Sequence, residues 1–360
     1  MTSFEDPRVI RVAEFYSGIG GWRCGATKAA FDLYGAAARV EVALAVDVST
    51  TCNATYAHNF GDAPLQRPIE DLDPSRLEGL DGWLLSPPCQ PHTRQRSPGE
   101  AAVDAADPRS KSFLWLADRL AKCEAPPAFV CLENVVGFAG SDCCARWHGA
   151  LRDAGFAAPR AWHCSPTMVG VPHERPRYFE CAVRRPGGAA PWRDGAAAPA
   201  DGWPGGAPAA PEPRRVADFL EAGDAAPWRL PPALLARDAA WCLDVVDAES
   251  TAPTACFTRS YGRFARGTGS VLNVTPGAPS LAALGLARAD PAARAFGDDW
   301  KAKLDLRFFA PKEIANLLGF PATFAFPAAV ATKARWAAVG NSLHVGAAAA
   351  VVAEALRDLG

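Results

Sequence analysis

One cysteine sits in a loop stiffened by three prolines, Ser86-Pro87-Pro88-Cys89-Gln90-Pro91-His92-Thr93-Arg94-Gln95. Proline fixes φ, so a thiol in this setting is held in place rather than lost in a pliable core. Arg94 lies close in sequence and favours the thiolate, the form that attacks electrophiles. A lone cysteine is more often structural, and the loop by itself does not choose between the two roles. A carboxylate arrives in Phe129-Val130-Cys131-Leu132-Glu133-Asn134-Val135, at the end of a run apolar enough for a buried strand. Apolar neighbours would raise its pKa and let Glu133 act as an acid; a helix cap facing water is the plainer alternative. Arg175 and Arg177 lie two apart before another apolar run, hence on one face of an extended backbone. They could clamp a phosphate or a base edge, or form structural ion pairs.

A second group of residues suits a ligand rather than a reaction. In Ser17-Gly18-Ile19-Gly20-Gly21, glycines would let backbone amides approach a bound molecule at the start of a helix. The turn is not the dinucleotide fingerprint, because the third glycine of that pattern would fall on Arg23. It reads equally as a tight strand-to-helix connection. Asp47 ends the next apolar run, where an acid accepts hydrogen bonds from a ribose or caps the following helix.

These residues need a scaffold that brings loops to one edge. Short apolar runs at 9–15, 40–46, 83–86, 129–132 and 178–183 predict strands, and the patterns at 22–33 and 112–122 predict helices between them. The alternation specifies an α/β fold, a doubly wound, mostly parallel sheet whose ligands sit at the carboxyl ends of the strands. From 186 the chain turns rich in Pro, Gly and Ala, as expected of a loosely ordered, protease-sensitive linker into a smaller domain. Helices are expected again at 311–319 and 342–359. The organisation predicted is a catalytic domain over 1–185, a linker and recognition domain over 186–300, and a C-terminal return over 301–360.

Composition narrows the partners. With 49% hydrophobic and 21% charged residues and a net charge of −2, the 360-residue chain reads as globular, and any nucleic-acid surface must be a local patch. Eleven cysteines without short paired spacing, and no apolar leader after Met1, argue for a reducing compartment, cytosol or nucleus, and against a disulfide framework. No charge-free apolar stretch has the length of a membrane span, no metal site is read, and a monomer is expected.

Taken in order, the segments resemble the cytosine-C5 methyltransferase family: Phe15-Tyr16-Ser17-Gly18-Ile19-Gly20-Gly21, Pro87-Pro88-Cys89-Gln90, Glu133-Asn134-Val135, Arg175-Pro176-Arg177 and Gly340-Asn341-Ser342. Cys256-Phe257-Thr258, Tyr261-Gly262, Gly267-Thr268-Gly269-Ser270, 308–314 and 318–321 resemble the branch that methylates cytosine 38 in the anticodon loop of tRNA-Asp. The resemblance runs from about residue 12 to 352, apart from the linker and the stretch 275–301. It implies the S-adenosylmethionine-dependent methyltransferase fold with a small target-recognition domain, and catalysis by Cys89, Glu133, Arg175 and Arg177. It implies a cofactor site of Tyr16, Gly18, Gly20, Asp47, Ile69, Glu70, Asn341, Ser342 and Val345. Substrate contacts are implied at Thr93, Arg94, Gln95, Cys256, Phe257 and Thr258. Three positions depart from the branch: His92 stands in place of Phe, His173 in place of Asn or Gln, and His344 in place of Asn. The expected substrate is tRNA in preference to DNA, with a DNA cytosine methyltransferase and a catalytically silent nucleic-acid binder as alternatives. A binder needs no nucleophile, so retention of Cys89, Glu133 and both arginines speaks against the last.

Overall fold

Four apolar runs become neighbouring parallel strands because helices cover them on both faces. The computed structural model describes residues 6–89, 104–184, 192, 198–206, 211–231, 234, 243–264, 267–275 and 304–359. β1 (Arg8–Phe15), β2 (Ala38–Val46), β3 (Gly82–Leu85) and β4 (Phe129–Asn134) lie in the order β2-β1-β3-β4, all parallel. Every residue of β3 and β4 is buried, as two-sided cover requires. β5 (Arg160–Cys164), β6 (Arg177–Val183) and β7 (Ala200–Asp201) extend the sheet as β4-β6-β5-β7. β6 runs antiparallel to both β4 and β5, so the sheet is mostly parallel with a reversed strand near one edge.

α1 (Gly21–Tyr34) packs along the C-terminal helix, Val345–Asp358, on one face of this sheet. Gly25 permits the approach: a Cβ there would lie 2.6 Å from that of Ala348. On the other face α3 (Lys111–Lys122) and α4 (Asp142–Asp153) close over Trp83, Phe113, Phe138 and Trp147. α2 (Thr50–Phe60) and α4, like β5, are elements that hydrophobic spacing did not announce. The cap of α2 is Ser49, whose hydroxyl accepts from the Cys52 amide at 3.3 Å; Asp47 is not the cap.

The first compact unit comprises Met1–Ser165, Pro176–Ala207 and Leu343–Gly360, and the second Pro166–Arg175 and Pro208–Ser342. This corrects the expected boundaries at 185 and 300. Trp192 donates to the Phe156 carbonyl at 3.0 Å and β7 pairs with β5, so what reads as linker composition still belongs to the first unit. Most of the segment expected to be protease-sensitive lies outside the described residues. The second unit holds a three-stranded sheet of β8 (Asp244–Asp247), β9 (Ser270–Asn273) and β10 (Leu306–Phe308). With it are α5 (Pro311–Leu317) and α6 (Thr332–Gly340), and its core is aromatic: Phe257, Tyr261, Phe308, Phe309 and Trp336 meet edge to face or tilted. The segment Thr332–Asp358 is apolar enough by composition to cross a membrane. It is broken between Gly340 and Val345, and α7 (Val345–Asp358) has 14 residues, about 21 Å, which is too short to span.

One buried charge in the first unit carries a pH dependence. Glu14 of β1 is fully buried and accepts hydrogen bonds from Tyr56 Oη at 2.9 Å and the Arg23 amide at 3.1 Å. Burial outweighs these bonds and pushes its pKa up to about 7. The unfolded chain loses this proton near pH 4.5, so stability is lost as pH rises from there towards 7 and is flat above. Glu14→Gln should remove this decline, an effect of up to about 3 kcal/mol. Denaturant midpoints measured from pH 5 to 8 check it: the same slope in wild type and variant would count against the assignment.

Candidate active site

The nucleophile loop is fastened at its base to the strands on either side of β3. Leu85 ends β3, and the Ser86 amide donates to the Phe15 carbonyl of β1 at 3.4 Å while Ser86 Oγ accepts from Trp22 Nε1 at 2.9 Å. On the other side Asn134 Nδ2 donates to the Pro87 carbonyl at 3.3 Å. Cys89 therefore follows four residues beyond β3, half-buried, on a backbone restrained at both neighbouring strand ends. Leu85 pairs with Leu132, so Glu133 reaches the same carboxyl edge one residue later.

Glu133 is 8% exposed and faces Phe179 across the antiparallel β4–β6 pair. Arg177, two residues before Phe179, occupies the diagonal position from which a long side chain reaches across. Its Nε lies 3.5 Å from Glu133 Oε1. The surroundings of Glu133 are thus not the purely apolar ones expected: a guanidinium orients the carboxylate. Cys164 is buried in the same region, and burial with the nearby Glu133 carboxylate pushes its thiol up to about 12.

The cofactor residues of the first unit sit at the ends of β1 and β2. Tyr16 adopts φ 56 and Gly18 φ 52, left-handed conformations that a tight turn imposes and a non-glycine residue pays for with strain. The Gly18 and Ser49 amides donate to the two Asp47 carboxylate oxygens at 2.9 and 2.8 Å. Burial raises the Asp47 pKa, and these two bonds oppose the shift. Gly20 answers to packing: a Cβ there would lie 2.2 Å from the Phe60 ring. The Tyr16 hydroxyl is committed to Ser112 Oγ at 2.9 Å.

S-adenosylmethionine fits these groups. Ser17 Oγ is buried without a hydrogen-bond partner among the described residues, a polar atom that awaits one from a ligand. Asp47 retains lone pairs for ribose hydroxyls. Val48, which sequence reasoning passed over, is 66% exposed immediately after Asp47, an apolar surface suited to a purine face. Its signal was an apolar residue placed in a turn. Ile69, by contrast, is a core side chain at 4% exposure. Glu70 is partly exposed beside Lys111 Nζ at 3.4 Å. Asp47→Ala should weaken cofactor binding about 10- to 100-fold, the loss of one or two charge-assisted hydrogen bonds. Calorimetry giving an unchanged Kd would remove Asp47 from the site.

Arg175 belongs to the second unit and is 3% exposed. Its Nη1 donates to the Phe257 carbonyl at 3.1 Å, and its Nη2 to the carbonyls of Gly340, at 3.2 Å, and Ser342. The two arginines expected on one face thus have separate partners: Arg177 serves Glu133, and Arg175 holds two distant stretches of backbone together. Asn341, exposed, and Ser342, half-buried, lie in the stretch that Arg175 ties down. Val345 is buried at the start of α7, and His344 caps that helix by accepting from the Ala347 amide at 3.1 Å. Asparagine at this position would cap through its side-chain oxygen, so this departure keeps the function of the residue it replaces.

His173 is fully buried and stacks on Phe257 at 5.4 Å, 26° between planes. Thr254 Oγ1 donates to the Pro172 carbonyl at 3.1 Å, so at 2.9 Å it accepts from His173 Nδ1. Phe257, 1% exposed between His173, Tyr261 and Phe309, is a core residue. Cys256 and Thr258 are half-buried. His92, Thr93, Arg94 and Gln95 lie outside the described residues.

The model of the C-5 cytosine-specific DNA methylase family matches residues 10–194. The tRNA (cytosine(38)-C(5))-methyltransferase of Mus musculus is 30% identical in an alignment of 421 positions, gaps included, that covers 93% of this chain and 91% of the relative. A DNA (cytosine-5)-methyltransferase of Dictyostelium discoideum is 29% identical, covering 97% and 94%. The crystal structure of a Spodoptera frugiperda DNMT2 variant is similar with a TM-score of 0.72 and 28% identity, over 97% of this chain and 99% of that one. The chain belongs to the C-5 cytosine-specific methylase family and is an S-adenosylmethionine-dependent cytosine-C5 methyltransferase.

Proposed function

We propose that the protein methylates carbon 5 of cytosine 38 in tRNA-Asp, acting as a monomer in a reducing compartment of the cell, cytoplasm and nucleus. The observation that carries this reading is likeness, over 93% of this chain and over 91% and 96% of theirs, to two relatives named for methylation of tRNA at cytosine 38. The segment Cys256-Phe257-Thr258 and its glycine-rich continuation support it as the framework of the recognition unit. A loop cytosine also leaves its stack more cheaply than one in a duplex.

Carbon 5 of cytosine is a poor nucleophile until the ring loses its aromaticity. The Cys89 thiolate adds to carbon 6, forming the S–C bond and moving the ring electrons towards carbon 5 and N3. Glu133 supplies a proton or hydrogen bond at N3, and Arg177 holds that carboxylate in position. S-adenosylmethionine supplies the electrophilic methyl group. Once carbon 5 carries it, loss of the carbon 5 proton to water restores the ring double bond and expels the Cys89 thiolate, and any proton taken up at N3 returns to the Glu133 carboxylate.

The second reading, duplex DNA as substrate, is favoured by the likeness to the Dictyostelium relative named for DNA. Incubation with labelled cofactor and either tRNA-Asp or duplex DNA separates the two. The expected result is label on the tRNA, lost when cytosine 38 is replaced. Label on duplex DNA with none on tRNA would establish the second reading instead.

A further inference from the structure

The second unit contains a cavity of about 330 Å³ that the chemistry above does not use. This is at the small end of the range for ligand pockets, roughly 300–1,000 Å³. One wall is Trp228, at the end of a short turn, Ala226–Trp228. That turn is fixed on both sides, by the Ala226 amide donating to Asp224 Oδ1 at 2.8 Å and by the bridge of Arg229 to Arg307 of β10. The segment 322–326 also lines the cavity, with Phe324 and Phe326 in edge-to-face contact at 5.4 Å. Trp228 and Phe326 are only half-buried, so two aromatic surfaces border an accessible space.

Two cations fasten the chain at either end of this segment. Lys312 Nζ donates to the carbonyls of Pro321 and Ala322 at 3.0 and 2.9 Å, and Arg335 donates from Nε and Nη2 to those of Val330, Pro327 and Ala328. An ammonium has three N–H donors and a guanidinium five, so each cation is held in place with donors to spare. Burial pulls the Lys312 ammonium below its usual range, a cost that an anion at its remaining N–H would relieve. Glu221 lines the rim, and Asn316 Nδ2 fixes its Oε1 at 2.7 Å. Aromatic lining, fixed cations and one fixed carboxylate match a nucleotide: a base stacked on an aromatic ring, its amino edge to the carboxylate, its phosphate to the cations.

We propose that this pocket binds an unpaired nucleobase of the RNA substrate other than the target cytosine, with Trp228 and Phe326 as the stacking surfaces. The proposal rests on the RNA reading of the substrate. Bases splayed from single-stranded loops are what RNA offers and a regular duplex does not. The pocket would act as an anchor that contributes to substrate affinity without touching the reacting atoms.

The test uses the full chain and tRNA-Asp transcripts. Trp228→Leu should raise KM for the tRNA about tenfold, the size of one lost base–aromatic stack. Its kcat and its cofactor Kd should match wild type, and Trp228→Phe should restore most of the affinity. Transcripts carrying 5-iodouridine or 5-iodocytidine in the anticodon loop, irradiated on the wild-type protein, should give adducts on Trp228 or Phe326 by peptide mass spectrometry. Unchanged KM in a folded, cofactor-binding Trp228→Leu protein overturns the proposal, as do adducts confined to other peptides. Failure of the RNA reading is separate, since it shows in the wild type as methylation of duplex DNA and not tRNA.

Discussion

Cys89→Ala is expected to abolish methyl transfer, by about 10⁴-fold or more, while the Kd for S-adenosylmethionine stays within about twofold. The asymmetry follows from where the groups are attached. The cofactor cradle hangs from the ends of β1 and β2, through Ser17, Gly18 and Asp47, whereas Cys89 follows β3. Removing the thiol deletes the electron pair that activates carbon 5, an interaction made only along the reaction path. Buried thiols are poor substitutes: burial and the Glu133 carboxylate push Cys164 up to about 12, and burial raises Cys131 well above the usual thiol range. Glu133→Gln gives a graded contrast, because an amide still hydrogen-bonds N3 but delivers no proton; a loss of about 10²-fold is expected. A substrate carrying 5-fluorocytosine at the target position makes the first result visible. Fluorine does not leave as the proton does, so the wild type should form a covalent complex stable to denaturing gels and Cys89→Ala should form none. Several per cent of wild-type turnover in Cys89→Ala would overturn the covalent mechanism.

The parts of this site that were legible in sequence are those where one residue type has few reasons to be where it is. A cysteine among three prolines and an acid closing an apolar run both stand at the carboxyl edge that strand order specifies. β3 and the first four residues of β4 were legible because two-sided burial makes them continuous apolar runs. β5 was not: Arg-Ala-Trp-His-Cys carries mixed polarity, and its pairing with β6 is set by tertiary neighbours. α4 hides likewise, since its Cys143, Cys144 and Trp147 face the core from a sequence otherwise rich in charge.

Residue partners were harder still. Arg175 and Arg177 read as a matched pair, yet one bonds carbonyls more than 80 residues away and the other a carboxylate on the adjacent strand. Spacing fixes which face a side chain leaves from, not what it meets. The same limit explains Phe257. In a motif that distinguishes a substrate branch, the central ring fills the core and leaves Cys256 and Thr258 half-buried on either side, a placement that spacing alone does not reveal. Domain boundaries misled for a compositional reason, because Pro/Gly/Ala-rich sequence can still carry a tryptophan and a short strand that anchor it to the first unit.

The largest stability effect is expected from Glu313→Ala in the recognition unit. Glu313, 2% exposed, receives Arg307 through two parallel bonds of 2.8 Å, Nη1 to Oε2 and Nη2 to Oε1. Its oxygens also accept the amides of Ala310 at 2.7 Å and Glu221 at 3.1 Å. The carboxylate therefore caps the start of α5, holds the segment bearing Glu221, and neutralises an arginine that is itself only 5% exposed. Alanine would strand a buried guanidinium and two backbone donors, a loss of about 3–5 kcal/mol. Denaturant unfolding followed by tryptophan fluorescence reads this, since Trp336 lies in the core of the same unit. If the cost comes from the uncompensated charge, Arg307→Met combined with Glu313→Leu should recover most of it, because replacing both charges removes the desolvation penalty along with the attraction. A double variant as unstable as Glu313→Ala would instead place the cost in the lost backbone bonds at Ala310 and Glu221, and an unchanged midpoint in Glu313→Ala would refute the buried pair as a determinant of stability.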